Sequence, residues 1–142
     1  MLENQILTKP QAKFLWRTSW FSVISSLYAL YQKHYWLALF PGSVFITSIN
    51  YWRCPDYSWR RYIDIFVVNY SVVHQTYFAY VHNAENFQTS FLFMQTGAFC
   101  FLLGVYFYEK KQYWLSTYFH ALLHFFANIA NIILYSGKIS YV

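Results

Sequence analysis

Four polar residues punctuate the apolar stretch "FHALLHFFANIANIILYSG": His120, His124, Asn128 and Asn131, at intervals of four, four and three. On a helix that spacing draws one polar stripe down a single face. Leu122, Phe125, Phe126, Ile129 and Ile132 fill the rest of the helix. His-x-x-x-His sets two imidazoles one turn apart, a common spacing for two ligands on one metal ion. Two other readings stand beside it: neutral imidazoles hydrogen-bonded to neighbouring helices, and a proton or ion path. Asp64, His74 and Ser48 are further polar side chains inside apolar runs. An ionisable group in such a place is a functional-site candidate, because taking it out of water is costly.

The elements that carry these residues are long and apolar. The chain has 142 residues, of which 11% are charged and 25% aromatic. A typical globular chain is about 25% charged. Mean hydropathy is only +0.23, because hydropathy scales penalise the Tyr and Trp that suit membrane interfaces. A small soluble domain has too much surface for its volume to hide this much apolar area. Five runs of near-spanning length follow one another: 14–31, 35–52, 62–81, 89–108 and 113–136. A membrane helix needs about 20 apolar residues. The expected fold is therefore all-α, a polytopic membrane helix bundle of about five transmembrane helices in one domain over residues 1–142. Period-2 alternation, which a membrane barrel would need, is absent. Pro41-Gly42 should kink the second run or mark a close helix contact.

Charge distribution sets the expected topology. With five spans, Lys9, Lys13, Arg17, Arg53, Arg60, Arg61, Lys110 and Lys111 fall on one side, and only Lys33 and Lys138 on the other. Lys and Arg in short loops mark the cytosolic side. The N-terminus is thus expected in the cytosol and the C-terminus on the exoplasmic or lumenal side. Arg53, Arg60 and Arg61 should anchor the cytosolic loop at an anionic leaflet. Arg60 and Arg61 are also expected to neutralise Asp64 at the start of the third span, with Ser58 capping it. The basic residues form no continuous stripe, which excludes nucleic acid as the expected partner. Cys54 and Cys100 do not suggest a disulfide framework. Residues 1–12 lack the pattern of a cleaved signal peptide. The terminal Ser140-Tyr141-Val142 resembles a PDZ ligand, but the topology puts it on the wrong side of the membrane.

Counting about 1.5 Å of rise per residue, Asp64 lies roughly 3 Å and Ser48 roughly 6 Å below the cytosolic ends of their helices. His120 lies roughly 10 Å deep, and His74 and His124 both roughly 16–18 Å. A three-His site from His74, His120 and His124 is sterically reasonable, with zinc as the candidate metal. Ser on the second span, Asp early in the third and His-x-x-x-His on the last resembles the pattern of the CREST membrane hydrolases, which include alkaline ceramidases and the progestin and adipoQ receptors. That resemblance implies a zinc ion held by three His, activating water against a lipid amide or ester. It would give Asp64 the role of positioning the water, Ser48 that of stabilising the reacting centre, and His120 and His124 that of metal ligands. Two departures accompany it. The family has seven spans, and its first zinc His follows the Ser by four residues, where this chain has Trp52.

Three functions remain open on sequence: a metal-dependent lipid hydrolase, a non-catalytic accessory or scaffold subunit of a larger membrane complex, and a small channel or transporter. The lipid bilayer is the expected partner in all three, and other membrane subunits in the second.

Overall fold

A computed structural model describes residues 6–140; Tyr141 and Val142 of the C-terminal triplet lie outside the described residues. Six helices and no strands are found among them: α1 (Lys9–Thr18), α2 (Phe21–Tyr31), α3 (Tyr35–Trp52), α4 (Trp59–Val81), α5 (Phe87–Glu109) and α6 (Tyr113–Ser136). The all-α expectation holds. Two of the helices, α5 and α6, are long and apolar enough to cross a membrane.

The first apolar run is not one uninterrupted helix. It starts early, at Lys9, where the Gln11 side chain accepts the Thr8 backbone N–H at 3.0 Å and its hydroxyl at 2.7 Å. It is interrupted at Ser19-Trp20. There the hydroxyls of Thr18 and Ser19 both donate to the Leu15 carbonyl, at 3.0 and 2.9 Å, competing with the helical ladder. Ser19 and Trp20 keep right-handed helical angles, so the axis bends without reversing.

Pro41 sits inside α3 without ending it. Proline has no N–H, so the Leu37 carbonyl loses its helical donor. The Tyr135 hydroxyl reaches that carbonyl at 3.5 Å, and the Ser26 hydroxyl donates to the adjacent Ala38 carbonyl at 2.8 Å. A Cβ on Gly42 would lie 3.2 Å from Ser26 Oγ, so Pro41-Gly42 marks the close α2–α3 contact.

Three connections close by one device. Lys33, Asn83 and Lys111 adopt left-handed angles, with φ of 64°, 48° and 59°. The N–H of each following residue then bonds a carbonyl five positions back: His34 to Ala29 (2.8 Å), Ala84 to Ala79 (3.0 Å) and Gln112 to Phe107 (2.9 Å). This is the Schellman helix ending, made here without glycine. It folds α2 onto α3, α4 toward α5, and α5 onto α6.

α6 is the central helix, packed on α5, α2 and α1; α3 bridges α2 and α4. The α5 face toward α6 is small: Ser90, Gly97, Cys100 and Gly104 are buried there. A Cβ on Gly97 would touch the Leu123 carbonyl and the Ala127 nitrogen at 3.5 Å, so the two backbones run close together. Elsewhere the burial pattern is inverted relative to a soluble bundle. Trp20, Ile24, Leu27, Leu39, Ile46, Phe66, Leu92 and Phe99 are exposed, while Ser22, Ser25, Ser48, Ser71, Gln75, Ser90, Thr117, Asn128 and Asn131 are buried. Small and polar residues inside with large apolar ones outside is how helices pack when the surrounding solvent is itself apolar.

Candidate functional site

The polar residues gather in separate places. The first lies between α3 and α4. Asp64 is 8% exposed, and its Oδ1 accepts hydroxyl hydrogen bonds from both Ser48 and Thr47, each at 2.8 Å. Ser48 and Asp64 are thus brought together. Thr47 is a partner that sequence spacing did not pick out, although its position next to Ser48 puts a second hydroxyl near the same face.

The arginines do not neutralise Asp64, contrary to expectation. Arg60 pairs with Asp56 at 2.9 Å and donates to the Cys54 carbonyl and to Ser58 Oγ, at 3.1 and 3.2 Å. Arg61 lies over the rings of Tyr57 and Tyr62, at 5.3 and 5.9 Å. Asp56 is one turn before Arg60 and already folded back over the loop, so it captures that guanidinium first. Asp56 also accepts the Ser58 N–H at 3.2 Å, and Ser58 opens α4 without a hydroxyl cap of its own. Hydrogen bonding to Ser58 holds the Asp56 carboxyl below its ordinary value, with Arg60 acting in the same direction. Arg53 is exposed at the C-terminal end of α3.

The second place lies on α6. His120 and His124 face each other, with ring centres 5.1 Å apart. Trp52 packs edge-on against His120 at 5.0 Å, and Phe101 closes another side at 6.0 Å. One turn on, Asn128 donates to the His124 carbonyl at 2.7 Å and to Ser22 Oγ at 3.4 Å, and accepts a short hydrogen bond from the Ser25 hydroxyl. Asn131 is buried on the same helix. Asn128 therefore joins α6 to α2. Sequence reasoning passed over Ser22 and Ser25, yet their spacing of three on an otherwise apolar helix is the signal for them.

His74 does not join this pair. It sits within a cluster of Phe40, Tyr70 and Trp36, at ring separations of 4.8, 5.6 and 6.3 Å, and its Nδ1 is buried with no hydrogen-bond partner. Among the described residues, no three His, Cys, Asp or Glu side chains are placed to hold one metal ion. The expected His74–His120–His124 set is thus not brought together among the described residues. His74 matches His124 in depth along the helix axis, but rise per residue fixes depth and says nothing of which way a side chain turns. The residues at the paired imidazoles do not fit the three-His zinc site of the resemblance, since an indole stands in contact with His120 where a third nitrogen ligand would be needed.

A further polar pair, Gln75 with the Tyr135 hydroxyl, ties α4 to α6 by a short hydrogen bond. Ser90 donates to the Ala130 carbonyl at 2.8 Å, and Asn86 to the Ile133 carbonyl at 3.0 Å, tying α5 to α6. Ser22, Ser25, Ser48, Asp64, Gln75, Ser90 and Asn128 each bridge two helices, whereas Gln11, Ser19 and Thr117 bond within their own helix or its cap. Comparison with protein-family models, with curated proteins and with solved structures finds no match for the chain.

Proposed function

We propose that this chain is a five-pass integral membrane protein that acts as a non-catalytic accessory or scaffold subunit of a larger membrane assembly. In this reading α1 and α2 together form the first pass. Their combined length, Lys9 to Tyr31, is roughly 34 Å, enough for a hydrocarbon core about 30 Å thick. α3 to α6 form the other four. The N-terminus and the loops at Arg53–Arg61 and Lys110-Lys111 face the cytosol, following the asymmetry of basic residues.

One observation carries the non-catalytic reading. Trp52 stands four residues after Ser48, where the CREST-like pattern has its first zinc His, and its indole rests against His120 at 5.0 Å. The arrangement that the resemblance implies is thus approached from α3 and α6, but with a side chain that cannot ligate a metal. The polar residues then serve helix association, and the exposed aromatic surface offers contact area to neighbouring subunits. A lipid amide or ester hydrolase is the second reading, favoured by the contact of Ser48 with Asp64.

Metal analysis of the protein purified in zinc-containing buffer tests the choice. The accessory reading expects no stoichiometric zinc and no change on His120→Ala. About one zinc per chain, lost in His120→Ala or His124→Ala, would overturn it in favour of the hydrolase.

A further inference from the structure

A groove of about 360 Å³ lies where the start of α1 meets the end of α3 and the loop beyond it. Lys9 and Lys13 of α1 and Arg53 of the loop bring three cations to it, and all three are exposed. None of the three makes an ion pair among the described residues, where the single salt bridge is Arg60–Asp56. The remaining wall is apolar and aromatic, with Leu7 and Trp16 facing Trp52. Trp52 is 6% exposed, and its indole N–H is buried without a hydrogen-bond partner. A buried N–H left unpaired has lost its water without recovering the hydrogen bond. The groove therefore combines a positive charge that no ion pair offsets among the described residues with an apolar wall.

We propose that this groove binds the headgroup of an anionic phospholipid, with the phosphate between Lys9, Lys13 and Arg53 and the glycerol and upper acyl chains against Leu7 and Trp16. The proposal rests on the membrane reading, which sets these residues at the cytosolic surface. Charge alone would serve a free phosphate equally well. The apolar wall favours the lipid, because inorganic phosphate gains nothing from it.

The test uses the full-length protein in nanodiscs, with native mass spectrometry to count retained lipids in mixtures of phosphatidic acid and phosphatidylcholine. Each cation near an anionic lipid surface contributes about a fivefold factor. We expect one phosphatidic acid retained per chain. The triple variant Lys9→Gln/Lys13→Gln/Arg53→Gln should lose at least about tenfold of this preference. The control Lys110→Gln/Lys111→Gln removes two cations from the same expected face but outside the groove, and should leave retention unchanged.

Equal retention of the two lipids would overturn the proposal, as would an unaffected triple variant. An equal loss in the control would reduce the effect to general attraction by a basic surface, which also overturns it. Displacement of the lipid by millimolar inorganic phosphate would show a free-phosphate site instead. Release of the native protein from its membranes by alkaline carbonate is a separate outcome; it would overturn the membrane reading, and the lipid site with it.

Discussion

Replacing Trp52 by His should create a zinc site that the native chain lacks. Zinc–nitrogen bonds of about 2.0–2.1 Å put the metal about 3.2 Å from each imidazole centre, so two imidazoles on one tetrahedral zinc have centres about 5.2 Å apart. His120 and His124 are 5.1 Å apart, and the Trp52 ring is 5.0 Å from His120. A His at position 52 overlays its imidazole on the five-membered part of the indole, so the 52–120 and 120–124 separations both fall in the range one metal can bridge. The native pair then has suitable spacing but only two ligands, and the variant has three with room for water in the fourth position. Native protein should hold no stoichiometric zinc, whereas Trp52→His should approach about one per chain. Thermal unfolding in detergent gives a second readout. Zinc at about 100 times its dissociation constant stabilises a folded state by about 2.7 kcal/mol, so the variant's midpoint should rise with zinc and the native midpoint should not. Adding His124→Ala to Trp52→His should abolish both effects, while adding His74→Ala should leave them intact. If Trp52→His folds but takes up no zinc, the three rings do not share a site and the reasoning from their separations fails. If His74→Ala removes the metal, the placement of His74 in its aromatic cluster fails.

Other perturbations probe the remaining contacts. Removing both hydroxyls that hold Asp64, as Thr47→Val/Ser48→Ala, should destabilise the protein by about 1–3 kcal/mol, two hydrogen bonds at about 0.5–1.5 kcal/mol each; a change within noise in thermal unfolding would show that the carboxyl draws its support elsewhere. Asn128→Leu should loosen α6 from α2 at a cost of about 0.6–1.7 kcal/mol, the range measured for hydrogen bonds between membrane helices; steric trapping in bicelles would read it, and Ser25→Ala should be non-additive with it. A single Cys at position 85 should react with an impermeant maleimide only from the exoplasmic side, and labelling only from the cytosol would reject the five-pass topology. The Asp56–Arg60 pairing depends on a carboxyl held below its ordinary value of 3.8, so its contribution is complete above that value and fades as pH falls through the depressed one; a label at Tyr57 should gain mobility only at the acid end, and mobility rising near neutral pH would refute the assignment.

The helices themselves were readable from the chain because their ends carry local signals. Runs 35–52 and 113–136 coincide with α3 and α6, since each is bounded by polar or charged residues that cannot continue an apolar helix. The bend at Ser19-Trp20 was hidden, because the hydroxyls that cause it look neutral in a hydropathy pattern. Nor could the left-handed turns at Lys33, Asn83 and Lys111 be read: none uses the glycine that normally announces such a turn. The polar stripe on α6 was visible as a stripe, but its division was not. His120 meets Trp52 and Phe101, while Asn128 meets α2. That division follows from which helix lies opposite each turn, a tertiary fact with no one-dimensional signature.

The separate fates of Asp64 and His74 have the same origin. Both are costly to hold in an apolar setting, and each is accommodated by what its own helix face meets. Asp64 faces α3 at Thr47-Ser48, where two hydroxyls converge on one oxygen. His74 faces α3 about two turns away, where Trp36 and Phe40 offer only rings. A hydroxyl can answer a carboxylate, but a ring cannot answer a buried imidazole nitrogen, and Nδ1 of His74 stays without a hydrogen bond. The chemistry of the two side chains thus agrees with where each is found: the carboxyl meets two hydroxyls, and the imidazole meets rings.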